Sequence, residues 1–163
     1  MKIGILSDTH NDEQTTQKIL SHFRNLKITT LIHCGDLTGP SLIRKFEDFQ
    51  VFLSYGNGDY LTGQIAEELV HLGTNSQSAN VISTTIESIP IAVVHGHDLQ
   101  QLEILQKSNR YTIIFTGHTH ESMDRSVNGT RTVNPGAAHS RGYHRATYAV
   151  FDPETRLINS LRL

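Results

Sequence analysis

Ile3-Gly4-Ile5-Leu6-Ser7-Asp8-Thr9-His10 is the stretch on which the reading of this chain turns. A short apolar run passes directly into Ser, Asp, Thr and His, which is how a strand buried on both faces ends in a polar loop. The same succession recurs four times. Thr30–Ile32 runs into His33-Cys34-Gly35-Asp36, Val51–Leu53 into Gly56-Asn57-Gly58-Asp59, Ile91–Val94 into His95-Gly96-His97, and Thr112–Phe115 into Gly117-His118-Thr119-His120. Helical stripes lie between several of these runs. Ile19, Leu20, Phe23 and Leu26 follow a start at Asn11, and Leu42, Ile43 and Phe46 follow Pro40. Ile65, Ala66, Leu69, Val70 and Leu72 close on Gly73, and Leu99, Leu102 and Leu105 follow a capping Asp98. The pattern predicts an α/β fold with four core-facing helices.

From Glu121 onward, short alternating runs with turn signals at Asn128-Gly129 and Asp152-Pro153 predict antiparallel β structure and a second sheet. The polar stretch Thr74–Asn80 reads as a mobile loop. No repeat and no linker interrupts the chain, so residues 1–163 are expected to form a single domain.

Composition narrows the function classes. The chain has 163 residues and is 37% hydrophobic, about 44% with its 12 glycines, which suits one folded core and rules out general disorder. A net charge of −2 gives no surplus of cations for a nucleic-acid backbone or an anionic membrane, so nucleic acid is disfavoured as a partner. No strictly apolar run exceeds the four residues of Ile91–Val94, and Asp8 interrupts the N-terminal stretch, so neither a membrane span nor a signal peptide is expected and the expected location is cytoplasmic. One cysteine excludes an intrachain disulfide and a cysteine-based zinc cage, and the ten histidines stand out beside it.

Those histidines and several carboxylates sit where five strands end. In open α/β sheets ligands bind outside the carboxyl ends of the strands, so the five ends predict one shared pocket. Asp8 with His10, and His118 with His120, stand at i and i+2, which on an extended segment point the same way. Asp8, His10, Asp36, Asn57, His95, His118 and His120 make seven candidate ligands, more than the three or four protein ligands of one catalytic zinc, so two ions sharing a carboxylate fit better. Four imidazoles disfavour Mg²⁺ and Ca²⁺ and suit Mn²⁺, Fe, Zn²⁺, Ni²⁺ or Co²⁺. An Asp after a strand is commonly a helix cap and Asn-Gly is commonly a turn, so the coincidence of five strand ends carries the reading, not any single residue. Outside the cluster, His22 and His71 are expected on the surface, Cys34 as a small buried hydrophobe, and His33 beside the ligands. The chain has no P-loop lysine motif, no G-x-S-x-G, no H-E-x-x-H and no dinucleotide fingerprint.

With D-x-H at Asp8 and His10, G-D at Gly35-Asp36, G-N at Gly56-Asn57, H-G-H from His95, G-H-T-H from Gly117 and Asn134-Pro135-Gly136, the chain resembles the calcineurin-like metallophosphoesterases, and more closely their small bacterial and archaeal phosphodiesterases. The resemblance runs from residue 3 to Gly136. It implies a four-layer αββα sandwich, two mixed β-sheets flanked by helices, and a dinuclear site. Asp8, His10, Asp36 and His120 would hold one ion, and Asp36, Asn57, His95 and His118 the other. One departure matters: many members have His directly after the motif Asn, where this chain has Gly58. The family's tail often carries an arginine after Asn-Pro-Gly, and Arg141 is a candidate either to bind substrate phosphate or to lie on the surface.

The expected function is hydrolysis of a small-molecule phosphoric ester, most simply a diester, with two transition-metal ions, Mn foremost, activating a bridging water for in-line attack. Asn57 positions an ion in this scheme, and His97, two residues beyond His95, is the expected substitute for the imidazole missing at Gly58. A non-catalytic interaction scaffold of the same fold and a nuclease of the superfamily are the alternatives. A homo-oligomer stays open.

Overall fold

The computed structural model of the chain describes residues 1–142 and 145–163. Strands β1 (Ile3–Leu6), β2 (Thr30–His33), β3 (Gln50–Ser54) and β4 (Gln77–Ala79) pair in parallel, and β10 (Thr147–Asp152) and β11 (Leu157–Arg162) extend this first sheet antiparallel beyond β1. The second sheet has the order β5 (Val81–Ile86), β6 (Ile89–Val94), β7 (Ile113–Phe115), β9 (Thr130–Pro135), β8 (Ser122–Val127). Its central β6–β7–β9 ladder is parallel and its two flanking pairs antiparallel. Both sheets are mixed.

Alternation along the strands explains the layers. Ile3, Ile5, Ile32, Phe52, Ala149 and Phe151 point from the first sheet against Ile82, Ile91, Val93, Ile113, Phe115 and Val133 of the second. The intervening Leu6, Leu31, Val51, Leu53 and Val150 point the other way, onto Ile19, Leu20, Phe23, Leu42, Phe46, Ile65 and Leu69. These belong to helix α1 (Glu13–Asn25), a 3-10 helix over Pro40–Phe46, and α2 (Thr62–His71). On the far face of the second sheet, Ala92, Val94 and Ile114 pack against Leu102, Leu105 and Tyr111, with α3 (Leu99–Lys107) as the fourth layer. Because both faces of the central strands are covered, their sequences read as near-continuous apolar runs.

Several local expectations change. Helix α1 is capped by Asp12, whose carboxylate accepts from Thr15 N–H, one residue later than expected. The segment behind Pro40 is 3-10 rather than α-helical. Thr74–Asn80 is not a loop throughout: Gln77–Ala79 forms the edge strand β4, and an edge strand facing solvent needs little apolar character. The stripe on α3 is less core-facing than its spacing implied, since Leu99 is 74% exposed; Asp98 does cap that helix. The C-terminal β structure divides, β8 and β9 joining the second sheet while β10 and β11 return to the first. The Asn128-Gly129 turn joins β8 to β9 with φ of 51° and 88°, the left-handed pair a tight hairpin requires. Among the described residues no helix is long and apolar enough to cross a membrane.

Candidate metal centre

Parallel register delivers the loops to one place. Leu6 stands opposite His33 and His33 opposite Leu53, so the loops after β1, β2 and β3 leave one edge of the first sheet together. Strands β6 and β7 do the same in the second sheet. Main-chain bonds join the loops within each sheet: Asp8 N–H donates to the Gly35 carbonyl at 2.9 Å, His10 N–H to that of Asp36 at 3.0 Å, and Gly117 N–H to that of His95 at 2.9 Å. Two more cross the seam between sheets, His118 N–H to Asp8 Oδ2 at 3.1 Å and His95 Nδ1–H to the Cys34 carbonyl at 2.7 Å.

The side chains converge by a different geometry from the one expected. Asp8, His10, Asp36, His118 and His120 all have positive φ, at 53°, 45°, 54°, 69° and 61°. Strands β1 and β7 have ended before these residues, so left-handed turns aim the i, i+2 pairs, not the pleat of an extended segment. A left-handed L-residue costs roughly 1–2 kcal/mol, and Asp, Asn and His are among the residue types that tolerate it best. Five such residues in one centre mark a site that the surrounding structure holds in place.

Asp36 lies in the middle and is 5% exposed. Its Oδ2 is 3.9 Å from His10 Nε2 and its Oδ1 is 3.5 Å from His95 Nε2. His120 Nε2 lies 3.2 Å from Asp8 Oδ1 and 3.4 Å from His10 Nε2, while the His118 ring is centred 5.2 Å from that of His95. Asp8, His10 and His120 therefore gather on one side of Asp36, and His95 and His118 on the other. Asn57 is exposed in the loop after β3, next to Gly58, whose N–H donates to Asp36 Oδ1 at 2.7 Å. His97 is exposed at the rim, its ring centred 5.5 Å from that of His95 and 6.3 Å from that of His118.

The donor atoms fit cations. His95 spends Nδ1–H on a carbonyl, which leaves the lone pair of its buried Nε2 facing a carboxylate oxygen, an arrangement that repels unless a positive charge stands between them. Asp8 Oδ2 accepts from Ser7 Oγ–H at 2.5 Å and from His118 N–H, while buried Asp8 Oδ1 and His95 Nε2 make no hydrogen bond. Ligands about 2.0–2.2 Å from one ion stand about 3–3.5 Å apart, close to the separations found here. Burial holds the His10 imidazole below its ordinary range against the pull of Asp36 and Asp8, which keeps it in the neutral form that can ligate.

Two residues of the centre carry no signal of their own in the sequence. Asp59, 6% exposed, accepts at Oδ2 from Asp36 N–H (2.9 Å) and Gly56 N–H (2.7 Å), and at Oδ1 from Thr38 N–H (2.7 Å), so one carboxylate ties the Asp36 loop to the Asn57 loop. His139, beyond the Asn134-Pro135-Gly136 turn, is buried with its ring centred 5.4 Å from those of both His10 and His120. An Asp in a glycine-flanked turn and a His two strands beyond G-H-T-H were visible in the chain, but only the fold brings them to the centre.

Residues expected nearby fall into place. His33 is fully buried and accepts at Nδ1 from Gly35 N–H (3.2 Å), which leaves Nε2–H for Thr9 Oγ1 (3.1 Å); burial, and then the neighbouring His95, push its pKa down to about 3. Cys34 is buried, and burial pushes its thiol well up, so it is inert. His71 is exposed, but His22 is half-buried with Nδ1 2.8 Å from the Tyr148 hydroxyl, because the C-terminal strand β10 returns beneath α1. The Arg141 guanidinium donates to the His10 carbonyl.

Comparison with known proteins agrees with this geometry. The phosphodiesterase MJ0936 of Methanocaldococcus jannaschii is 33% identical over 138 residues, covering 83% of each chain. A probable metallophosphoesterase of Methanothermobacter thermautotrophicus is 27% identical over 146 residues, 84% of this chain and 77% of that one. The solved structure of an archaeal phosphodiesterase superposes with a TM-score of 0.93 at 30% identity over all of both chains. Zinc-complexed Vps29 from Entamoeba histolytica shares the fold at a TM-score of 0.67 and 18% identity, over 100% of this chain and 98% of that one. Residues 1–156 match the calcineurin-like phosphoesterase superfamily domain, and with that match over nearly its whole length the chain belongs to this family of metal-dependent phosphoric ester hydrolases.

Proposed function

We propose that the protein is a phosphodiesterase that works with two divalent transition-metal ions, Mn²⁺ foremost, held on either side of Asp36. The observation that carries this is the carboxylate of Asp36, whose two oxygens face two separate imidazole groups, His10 through Oδ2 and His95 through Oδ1. Asp8, His10, Asp36 and His120 would hold one ion and Asp36, Asn57, His95 and His118 the other. Two such ions supply a nucleophile from bound water at neutral pH and positive charge for the phosphoryl oxygens. The chain's own groups do the rest. Ser7, His118 N–H and Gly58 N–H fix the carboxylates. The Cys34 carbonyl fixes the tautomer of His95. His97 would meet the leaving group, a role that its exposed ring at the rim beside His95 and His118 supports. The intact donor set favours catalysis over a scaffold role, and the net charge of −2 disfavours nucleic acid.

The test is elemental analysis of Mn²⁺-loaded protein, wild type and Asp36→Ala, together with hydrolysis of bis(nitrophenyl) and mononitrophenyl phosphate. Two ions per wild-type chain, loss of both in Asp36→Ala and faster diester cleavage are expected. One ion or fewer in the loaded wild type would sink the dinuclear reading.

A further inference from the structure

Asn134, in the Asn134-Pro135-Gly136 turn, is 2% exposed and lies on β9 where that strand runs beside β7. Just past the paired residues, Thr116 N–H donates to the Val133 carbonyl at 2.8 Å. One residue further on, a side chain takes over. Asn134 Nδ2 donates to the Gly117 carbonyl at 2.7 Å and to Thr119 Oγ1 at 3.1 Å, and its Oδ1 accepts from Gly136 N–H at 2.8 Å. These partners fix the orientation of the amide, since a carbonyl can only accept and a main-chain N–H can only donate.

The two amide hydrogens reach the turns that carry His118 and His120. Thr119 N–H donates back to the Gly117 carbonyl at 2.8 Å around His118, whose φ is 69°, a γ-turn of the rare and strained kind. Glu121 N–H reaches Thr119 Oγ1 at 3.4 Å around His120, whose φ is 61°. Each histidine thus stands at the apex of a left-handed turn, and each turn closes on an atom that Asn134 also holds. Strained backbone persists only where its surroundings over-determine it, and here one amide braces both turns. The far end of the motif is tied to the first sheet. Gly136 has a φ of 81° and a Cβ there would stand 2.0 Å from Thr147 Oγ1, so glycine makes this turn, after which Ala138 N–H donates to the Ser7 carbonyl at 2.8 Å, beside Asp8.

We propose that Asn134 is a positioning residue for both ions, holding the His118 turn through the Gly117 carbonyl and the His120 turn through Thr119 Oγ1. The inference rests on the dinuclear phosphodiesterase reading above, in which those two imidazoles belong to different ions. The amide acts on the loop and not on the substrate, setting where the ligands of the second sheet meet the carboxylates of the first.

The experiment compares wild type, Asn134→Asp, Thr119→Val and Thr119→Ser by Mn²⁺ titration, electron paramagnetic resonance of the loaded centre, and melting temperature of the metal-free protein. Asn134→Asp keeps the oxygen that accepts from Gly136 N–H but sets a second oxygen against the Gly117 carbonyl. Its charge by itself would attract cations, so weaker binding in this variant reports lost position. Losing an outer partner of a metal ligand costs about 10–100-fold in affinity, so both Mn²⁺ dissociation constants should rise at least about tenfold, with the spectrum of a coupled pair giving way to that of isolated ions. Thr119→Val keeps the Asn134 bond to Gly117 and should weaken only one of the two ions, about tenfold, with metal-free melting unchanged because Thr119 is exposed. Thr119→Ser, which keeps the hydroxyl, should bind as wild type does. Unchanged or tighter binding in Asn134→Asp overturns the proposal. So does a Thr119→Val that binds both ions like wild type or weakens both alike, and this variant decides should Asn134→Asp fail to fold. A wild type that loads one ion or fewer sinks the dinuclear reading and the proposal together, whereas a wild type that loads two confines any failure to Asn134.

Discussion

Replacing Asp59 by Asn changes one atom in a carboxylate that touches no substrate, yet it should weaken both the fold and the centre. Asp59 accepts three main-chain N–H groups at 2.7–2.9 Å with two oxygens. An amide has one oxygen, so whichever way it turns, at least one N–H, that of Thr38 or those of Asp36 and Gly56, faces an NH₂ group instead. A buried donor left unsatisfied costs about 1–3 kcal/mol, and the bonds that survive lose their charge assistance. An opposing gain comes from removing a buried charge, whose cost is visible in the Asp59 carboxyl: burial pushes it up from its ordinary range despite the three donors. The net expectation is a loss of about 2 kcal/mol, or roughly 4–8 °C in melting temperature for a domain of this size. Metal-free protein in a thermal melt isolates the fold contribution. Elemental analysis after Mn²⁺ loading then reads the centre, where the ion nearer Asn57 should be lost first, since Asp59, with the Gly58 N–H, binds that loop to Asp36. If Asp59→Asn melts within a degree of wild type and loads two ions with unchanged affinity, the carboxylate is not what positions Asp36 and Asn57.

Three further outcomes follow from the same geometry. A Cβ at Gly117 would stand 1.9 Å from Ser7 Oγ and 2.8 Å from Asp8 Oδ2, so Gly117→Ala must push Asp8 aside and should cut Mn²⁺ affinity at least about tenfold, as isothermal titration would record. Buried His33 stays neutral down to about pH 3 while the unfolded chain takes up a proton below 6.5, so stability falls as pH drops through that window. At pH 5 the loss is about 2 kcal/mol, and urea unfolding of His33→Gln at pH 7 and pH 5 should show a smaller difference than wild type; an equal one refutes it. His97→Ala should keep both ions and slow alkyl-ester cleavage by about 10²-fold or more while barely slowing nitrophenyl esters, whose leaving groups need no proton. Equal slowing of both would remove His97 from the leaving group.

Strand ends were legible in the chain because each apolar run stops abruptly at a polar, glycine-bearing loop, and the seven proposed ligands were named from that alternation. What aims them was not legible: the left-handed backbone at Asp8, His10, Asp36, His118 and His120 leaves no trace in residue spacing, and the same i, i+2 pairs would have suggested a pleat. The return of β10 to the first sheet was equally hidden, because the apolar run Tyr148–Phe151 shows a strand buried on both faces but not its partner, and only the pairing of Ile3 with Phe151 says which strand it joins. Asp59 and His139 escaped for one reason. Each works through a contact set by tertiary structure, Asp59 by main-chain donors from two loops and His139 by a segment anchored to Ser7 and Asp12 more than a hundred residues away.

The seam between the two sheets divides the proposed ligands by charge as well as by origin. Both carboxylates, Asp8 and Asp36, come from the first sheet together with His10 and Asn57, whereas the second sheet supplies imidazoles alone, those of His95, His118 and His120. An ion held as proposed would work like a rivet between the two sheets, and the free energy of loading would add to the stability of the folded sandwich. With the ligands as proposed, free metal would add to the apolar packing that already holds the two sheets together.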